Sequence, residues 1–163
     1  MRVRAATSAD ADAIARIYNE GIDDRIATFE TAHRSADEVR AWFGGSHPIV
    51  VVEDGDDGEG GRVIGFASTS VYRPRDCYRG IAEFSVYVAR EARGRGAGRA
   101  AMHGLFEAAQ AAGFWKLVSR VLVENEASRG LLRAVGFREV GTYQKHGMLD
   151  GIWRDAVIVE RLL

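Results

Sequence analysis

The sequence predicts a single α/β domain in which helices cover both faces of a mixed β-sheet. Runs rich in β-branched and aromatic residues alternate with helical patterns in the order βααββ, βαβ and αββ. The central strand–helix–strand unit should cross over with a right-handed connection and pair its strands in parallel. With 163 residues, 47% of them hydrophobic, and no linker-like segment, the chain is expected to form one domain over residues 1–163.

The first half of the chain is predicted to hold three strands and two helices. The strands are read at residues 3–7, 48–53 and 62–72. Each helix begins with a capping box, a polar residue followed three positions later by an acidic one. The two boxes are Thr7 with Asp10 and Ser35 with Glu38. The acidic, glycine-rich stretch at 54–61 is interpreted as a solvated hairpin loop in preference to a metal-binding loop.

The second half is predicted to hold four strands and two helices. Its strands are read at residues 82–89, 115–123, 138–147 and 152–162. An apolar stripe from Ala101 to Ala112 marks the helix that follows a glycine-rich turn. Asn125 can cap the next helix, which should stop at Gly136 because glycine suits the left-handed position after a helix end.

Composition narrows the class of protein. A formal net charge of −1 gives no general attraction to nucleic acid or to an anionic membrane. No run reaches the roughly 20 apolar residues of a membrane span, and the amino terminus lacks a signal-peptide core. Cys77 is the only cysteine, which excludes an internal disulfide and a cysteine-cluster metal site. We therefore expect a cytoplasmic protein without a metal centre.

The stretch from Arg93 to Arg99, RGRGAGR, stands where a predicted strand turns into a helix. The first backbone N–H groups of a helix have no intrahelical partner, and the helix dipole adds partial positive charge there. Glycines remove Cβ atoms that would keep a phosphate away, and the three arginines add charge. This pattern predicts a pyrophosphate-binding turn; the alternative is an exposed basic loop.

Two other phosphate-binding motifs fit this turn less well. A P-loop would close with Gly-Lys-Ser/Thr, whereas Gly98 is followed by Arg99 and Ala100. Residues 96–101 fit the dinucleotide pattern G-x-G-x-x-A, with Glu124 near the end of the following strand. However, only one helix follows that strand, which is too few for a doubly wound sheet.

The turn and the segment after it resemble the GCN5-related N-acetyltransferase (GNAT) superfamily. Arg93-x-x-Gly96-x-Gly98 fits its Q/R-x-x-G-x-G/A signature, and the segment NEASRGLLRAVGF at 125–137 fits its next helix, which ends in Gly-Phe. The stretches TFET, YRPRDCYRGIAEFSVYV and GIWRD resemble the branch that acetylates phosphinothricin, arsinothricin and related amino acids. The resemblance implies a mostly antiparallel sheet around the parallel unit, and a homodimer.

The resemblance implies that the ligand is acetyl-CoA. Its pyrophosphate would lie on the backbone N–H groups of the turn. In the superfamily the preceding strand carries a bulge that splays it from its neighbour and frees backbone groups for the pantetheine arm, and Asn125 and Ser128 match residues near the far end of that arm. Asn125 read only as a helix cap is compatible with this. The implied cofactor-binding residues are Val86, Val88, Arg93, Gly94, Arg95, Gly96, Ala97, Gly98, Arg99, Asn125 and Ser128.

Glu83 is the candidate general base. An amine attacks a thioester only when it is neutral, so a charged amino acid needs a group that takes its proton. Glu83 precedes Val86 by three residues, and its expected apolar surroundings would strengthen the carboxylate as a base. In the resembled branch, a glutamate at this position is the general base. The alternative is a structural ion pair with an arginine. The same resemblance implies that the free backbone N–H near Val86 holds the oxyanion, and Leu132 stands where many superfamily members have a tyrosine that acts as general acid.

The remaining candidates concern the substrate. Arginine forks suit carboxylate, phosphinate or arsonate oxygens, and tyrosines could wall the site. The predicted substrate-binding residues are Phe29, Glu30, Tyr72, Arg73, Arg75 and Tyr78. The alternatives are a solvated basic loop for the arginines and ordinary packing for Phe29. Direct transfer is expected rather than an acetyl-enzyme on Cys77 activated by His146. The alternative function is a non-catalytic CoA or dinucleotide sensor.

Overall fold

A seven-stranded sheet forms the centre of the computed structural model, which describes residues 1–55 and 60–163. The strands are β1 Arg2–Ala5, β2 Ile49–Asp54, β3 Arg62–Val71, β4 Ile81–Val88, β5 Lys116–Leu122, β6 Arg138–Leu149 and β7 Ile152–Leu162. The helices are α1 Ala11–Asp23, α2 Ala36–Arg40, α3 Ala97–Ala111 and α4 Glu126–Ala134. Within the predicted hairpin loop at 54–61, residues 56–59 lie outside the described part of the chain.

The sheet order is β1-β2-β3-β4-β5-β7-β6. All neighbouring strands are antiparallel except β4 and β5, which run parallel on either side of the α3 crossover. The predicted mixed sheet with a central parallel βαβ unit is therefore confirmed. β2 is buried along almost its whole length because both faces of the sheet are covered.

Two glycines show that helices pack on opposite faces of β4. A Cβ on Gly21 in α1 would stand 2.6 Å from the Tyr87 ring, whereas a Cβ on Gly98 in α3 would stand 3.5 Å from Val88. Tyr87 and Val88 are adjacent in a strand, so their side chains point to opposite faces. The alternation also places Glu83 and Ser85 on the α1 face of the sheet.

The predicted helix ends are observed with two changes. Ser35 Oγ accepts a hydrogen bond from the Glu38 N–H at 3.2 Å, and the Ser35 N–H donates to Glu38 Oε2 at 2.7 Å, which completes the capping box. The Thr7–Asp10 box opens a short 3-10 turn, so the α-helix itself begins only at Ala11. The helix predicted after Ser35 is also shorter, because residues 41–44 tighten into a 3-10 turn.

Gly136 follows α4 with φ of +91°, as predicted for a glycine after a helix end. β6 is longer than predicted, and its pairing with β7 shifts register twice, once between Glu139 and Gly141 and once between Tyr143 and Gly147. Within the described residues, no helix combines the length and the apolar character needed to cross a membrane.

Candidate active site

The central feature of the site is a gap between β4 and β5. The two strands pair only from Ile81 to Glu83 in β4, opposite Lys116 to Val118 in β5. Beyond Glu83, β4 continues along β3 to Val88, whereas β5 continues along β7 to Leu122. The two strands therefore diverge at Glu83, and a wedge-shaped opening separates the rest of their lengths.

The splaying was expected, but the expected bulge in β4 was wrong. β4 pairs with β3 in unbroken register from Val71–Ala82 to Gly65–Val88. The opening arises because β5 turns away, not because β4 carries an extra residue.

Backbone groups of Val86 and Val88 face this gap. The Ala89 N–H donates to Ile64 O at 2.8 Å on the β3 side. Because N–H directions alternate along an antiparallel pair, those of Val86 and Val88 point the other way, toward the opening. Val88 O accepts a hydrogen bond from Arg93 Nε at 3.1 Å. The Val86 N–H has no strand partner among the described residues and is available to a ligand.

The glycines of the turn serve two separate purposes. Gly94 and Gly96 have φ of +73° and +91°, a conformation that favours glycine, and a Cβ on either would meet open space. A Cβ on Gly98 would instead stand 2.9 Å from Leu131 in α4, so this glycine permits close packing. The first-turn N–H groups at 97–99 lack intrahelical partners, as the sequence predicted.

The arginines of the turn are less available than expected. Arg93 Nη2 pairs with Asp24 at 2.7 Å, and Arg95 Nη2 pairs with Asp54 at 2.9 Å. Burial alone would raise the pKa of Asp24, but hydrogen bonds from Arg90 and Arg93 outweigh it and hold that pKa below its usual range. Arg99 is exposed and makes no ion pair within the described residues, so it is the turn's most available cation.

The amino end of α4 closes the far side of the gap. Asn125 Oδ1 accepts a hydrogen bond from the Ser128 N–H at 3.1 Å, which confirms its reading as a helix cap. Both residues also line a narrow cavity of about 110 Å³ that contains Val86 and Leu132. Leu132 is 1% exposed, so an aliphatic side chain occupies the position where many relatives have a tyrosine hydroxyl.

Glu83 lies at the point where the gap opens into a larger cavity of about 690 Å³. Its side chain is 28% exposed, and its Oε1 accepts a hydrogen bond from Arg120 Nη2 at 2.7 Å. The expectation of apolar surroundings was therefore wrong, because β5 places a guanidinium directly beside the carboxylate. The ion pair that the sequence left open as an alternative is present.

Phe29 and Glu30 line the same cavity, together with Thr28 and Thr31 from the segment after α1. Gly147 in β6 allows this segment to approach, since a Cβ there would stand 2.6 Å from the Phe29 ring. Glu30 Oε1 pairs with Arg34 Nη2 at 2.9 Å. The segment thus forms a wall of the cavity opposite the sheet.

Tyr87 contributes a second wall that the sequence analysis missed. Its ring contacts Tyr18 edge-on, with centroids 4.9 Å apart. Burial raises the pKa of the Tyr87 phenol well above its usual value. Its burial beneath α1 could not be read from β4 alone.

A neighbouring cavity of about 410 Å³ shares Glu83 and Arg120 with the first. Tyr72 and Arg73 line it, with Arg73 Cζ 5.3 Å from the centre of the Tyr72 ring. The structure thus places two more of the predicted substrate-binding residues, Tyr72 and Arg73, in a cavity that the candidate base also lines.

Arg75 and Tyr78 are placed differently from Arg73. Neither lines these two cavities. Tyr78 packs edge-on against Tyr72 with ring centroids 5.7 Å apart, so it supports a lining residue. The two arginines, which the sequence treated as equal, are therefore not equivalent.

The sequence analysis did not assign three further residues to the cavity: Arg120 and Tyr143 were not singled out, and His146 was considered only as an activator of Cys77. Tyr143 and His146 reach the cavity because β6 bulges between them, and their rings stack with centroids 4.6 Å apart. Arg120 follows Val118 by two positions on β5, on the same face as Glu83, which only the strand register reveals. Cys77 is exposed and lines neither cavity, and the described residues hold no cluster of metal-ligating side chains.

Comparison with known proteins supports the family resemblance that the sequence indicated. Residues 14–137 match the acetyltransferase (GNAT) family. The L-methionine sulfoximine/L-methionine sulfone acetyltransferase of Pseudomonas paraeruginosa is 33% identical over 162 residues, which cover 97% of this chain and 92% of that protein. The phosphinothricin N-acetyltransferase of Streptomyces coelicolor is 34% identical over 170 residues, with 100% and 96% covered.

A solved structure extends the comparison to the fold. The crystal structure of a GNAT superfamily phosphinothricin acetyltransferase from Sinorhizobium meliloti, in complex with acetyl-CoA, matches with a TM-score of 0.89 and 34% identity. The match covers 99% of this chain and 88% of that one. Because the family match and these relatives together span nearly the whole sequence, the chain belongs to the acetyltransferase (GNAT) family, in its phosphinothricin and methionine sulfoximine branch.

Proposed function

We propose that this protein transfers the acetyl group of acetyl-CoA to the α-amino group of a small amino acid whose side chain ends in an oxyanion or a similar polar group. The observation that carries the proposal is the position of Glu83. Its carboxylate lies where the strand gap opens and where two solvent-accessible cavities meet. A carboxylate there can serve an amine that approaches from the cavities toward a thioester in the gap.

The residues around the gap fit acetyl-CoA. The turn offers first-turn N–H groups at 97–99 and open space above Gly94 and Gly96, which suits a pyrophosphate. Arg99, which makes no ion pair with the described residues, is a cation beside it. The Val86 N–H points into the gap, where an extended pantetheine arm would run, and Asn125 and Ser128 line its far end. Arg93 and Arg95 then act mainly by fixing the turn through Asp24 and Asp54.

Acetyl-CoA supplies the activated acetyl group as a thioester. The substrate ammonium first passes one proton to Glu83, directly or through water, and the resulting neutral amine attacks the carbonyl carbon. A C–N bond forms as the C–S bond breaks, and the nitrogen loses its second proton, which balances the one that the leaving thiolate takes up. The Val86 N–H is placed to hold the oxygen that gains charge. The leaving thiolate takes its proton from a group other than residue 132, since Leu132 has none to give.

The second cavity supports the substrate class. Arg73, backed by Tyr72, provides a cation at one side of it, which suits phosphinate, arsonate, sulfoximine or sulfone oxygens. Phe29 and Glu30, which line the adjoining larger cavity, would cover the substrate there. Phosphinothricin, arsinothricin and methionine sulfoximine have this shape, and acetylation of their amino group would confer resistance to them.

The proposal includes a cytoplasmic homodimer. Acetyl-CoA is a cytoplasmic metabolite, and β6 ends the sheet as an edge strand. The outer hairpin carries exposed apolar side chains, among them Tyr143, Met148, Ile152 and Trp153. A second copy of the chain would cover them, and sedimentation velocity measures this directly.

A substrate panel tests the proposed function. Release of CoA is measured with phosphinothricin, arsinothricin, methionine sulfoximine, glutamate, lysine and spermidine. We expect the highest kcat/KM for the first three and poor turnover of lysine and spermidine, because Arg73 repels a cationic tail. A preference for spermidine or lysine would contradict the substrate class, whereas acetyl-CoA binding without turnover of any amine would favour a sensor.

A further inference from the structure

Arg120 is the cation that faces the candidate base. Its Nη2 lies 2.7 Å from Glu83 Oε1, across the point where β4 and β5 diverge. The side chain is 49% exposed and lines both cavities as well as the narrow part of the gap. Within the described part of the chain, this one hydrogen bond is the only one that its guanidinium makes.

The ion-pair cluster around Arg4 has a different character from the Glu83–Arg120 pair. Arg4 donates two hydrogen bonds to Asp10 and one to Glu53, and so ties together β1, β2 and the start of α1 in buried surroundings. The Glu83–Arg120 pair uses one hydrogen bond and is open to a ligand. An exposed pair of this kind contributes at most about 1 kcal/mol to stability, so holding the strands together explains it poorly.

The pair matches the head group of an α-amino acid. An ammonium and a carboxylate share one carbon in that head group, so a site that binds both by charge needs an anion and a cation close together. Glu83 is already required close to the amine. The cation in contact with Glu83 is Arg120, whose guanidinium has five N–H donors and suits a carboxylate.

We infer that Arg120 binds the α-carboxylate of the substrate and thereby makes the enzyme specific for α-amino acids over simple amines. This rests on the proposed function and deepens it. A substrate carboxylate that takes the Arg120 N–H donors also releases Glu83 Oε1, the oxygen that would accept the amine proton. Arg73 in the second cavity then binds the other end of the substrate, so the distance between the two arginines selects substrates of matching length.

The test compares an amino acid with its own uncharged derivative. L-methionine sulfone and its α-carboxamide have the same side chain and differ at the group that Arg120 is inferred to bind. The ratio of their kcat/KM values is measured for the native protein and for Arg120→Gln, so the intrinsic reactivities of the two amines cancel. A charge-assisted hydrogen bond is worth about 1.5–3 kcal/mol, so the acid-to-amide ratio should fall roughly ten- to hundredfold, through KM of the acid.

Arg73→Gln is the matched control, because it removes a guanidinium from the side-chain end of the site and should change both substrates by one factor. Arg120→Lys keeps the charge without the planar fork and should restore part of the ratio. It also serves as the second variant if Arg120→Gln unfolds.

Three results would overturn the inference. Equal loss on acid and amide in Arg120→Gln, which leaves the ratio unchanged, would show a structural ion pair, and native kcat/KM values on both compounds would show that Arg120 does not bind the carboxylate; both results leave the proposed function standing. Failure of the native protein to acetylate either compound, despite acetyl-CoA binding, would remove the proposed function and this inference with it.

Discussion

Glu83 and Arg120 form a pair whose two members would have different tasks. Glu83 lies where β4 leaves β5, so a substrate amine and a thioester can reach it from opposite sides. Its hydrogen bond to Arg120 means that the free protein holds this carboxylate in an ion pair. At the scale of single residues, the account therefore requires that the carboxylate be released when substrate binds.

Replacement of Glu83 by Gln keeps the shape of the side chain and removes its ability to accept a proton. We expect kcat to fall by roughly 10²–10⁴, the usual contribution of a positioned base, with acetyl-CoA affinity nearly unchanged. Steady-state kinetics and calorimetry measure the two quantities. Glu30→Gln, the same change in another wall of the cavity, is the control and should affect KM more than kcat. A loss below about threefold in Glu83→Gln would assign the proton transfer to another group.

Arg73 and Arg75 lie in the same loop, but only Arg73 lines a cavity of the site, so Arg75 is a matched control for Arg73. Arg73→Ala should raise KM for phosphinothricin roughly ten- to hundredfold, because a charge-assisted bond exists in the ground state as well as in the transition state. Arg75→Ala should remain close to the native kinetics, since Arg75 lines neither cavity. The reverse order of effects would show that this loop rearranges when substrate binds.

The glycine-rich turn and α3 form the element that would bind the pyrophosphate. Its ligand groups are backbone N–H groups, so most side-chain changes there either strain the backbone or leave the ligand groups intact. Gly96 illustrates the difficulty, because any other residue would be strained at its φ of +91°. Arg99 is the better probe, since it is exposed in the first turn of α3.

Changes at the two ends of α3 should have opposite effects. Arg99→Gln should weaken acetyl-CoA binding about tenfold and Arg99→Glu about a hundredfold, while stability holds or rises because the helix dipole favours an acid there. Gln110→Glu, near the carboxyl end of the same helix, should lower stability slightly and leave binding unchanged. Calorimetry and thermal unfolding give both values. Native affinity in a folded Arg99→Glu protein would refute the assignment of the turn.

The parts of the site that depend on residues close together in sequence could be predicted, whereas the parts that depend on long-range strand pairing could not. The turn at 93–99 and the cap at Asn125 depend on neighbours in sequence, and both were found. Arg120 and Tyr143 were missed, and His146 was considered only beside Cys77, because a strand register and a bulge bring these residues to the cavity. Leu132 was identified as an exception by the resemblance to the superfamily, yet that resemblance does not show what replaces the tyrosine hydroxyl.

At the scale of the whole molecule, the parallel strand pair followed from the βαβ unit. The full strand order, in which β7 lies between β5 and β6, was not predicted, because it depends on pairings between distant segments. What the sequence could not show is where the parallel strands part. That point is set by how far along its length β5 pairs with β4 as well as with β7. Both pairings join segments that are distant in sequence. Stability depends likewise on distant contacts, and the Arg4–Asp10–Glu53 cluster is the clearest of them.

Asp10 should make the stability of the fold depend on pH. Hydrogen bonds from Arg4, and from the Thr7 N–H, hold the pKa of this carboxyl below its usual range, although burial opposes them. Since an unfolded Asp titrates near pKa ~3.9, the contribution is complete above that value and is lost as pH falls through the lower, folded pKa. Asp10→Asn should therefore cost about 1.5–3 kcal/mol of unfolding free energy at pH 7 and less at pH 3.

Urea unfolding at both pH values measures this difference. Asp12→Asn is the control, because the Asp12 side chain is 77% exposed and its pair with Arg40 should contribute no more than about 1 kcal/mol. A cost for Asp10→Asn that is the same at pH 3 as at pH 7 would show that the charge of Asp10 does not stabilise the fold.

The central claim is that this protein catalyses acetyl transfer to an α-amino group. The most direct measurement incubates it with acetyl-CoA labelled with ¹³C in the acetyl carbonyl and with L-methionine sulfoximine, and follows the products by NMR while free CoA is assayed. The account predicts a new amide carbonyl signal on the α-nitrogen, in an amount equal to the CoA released, and its near loss in Glu83→Gln. Binding of acetyl-CoA with no labelled amide, or label on any other atom of the substrate, would contradict it.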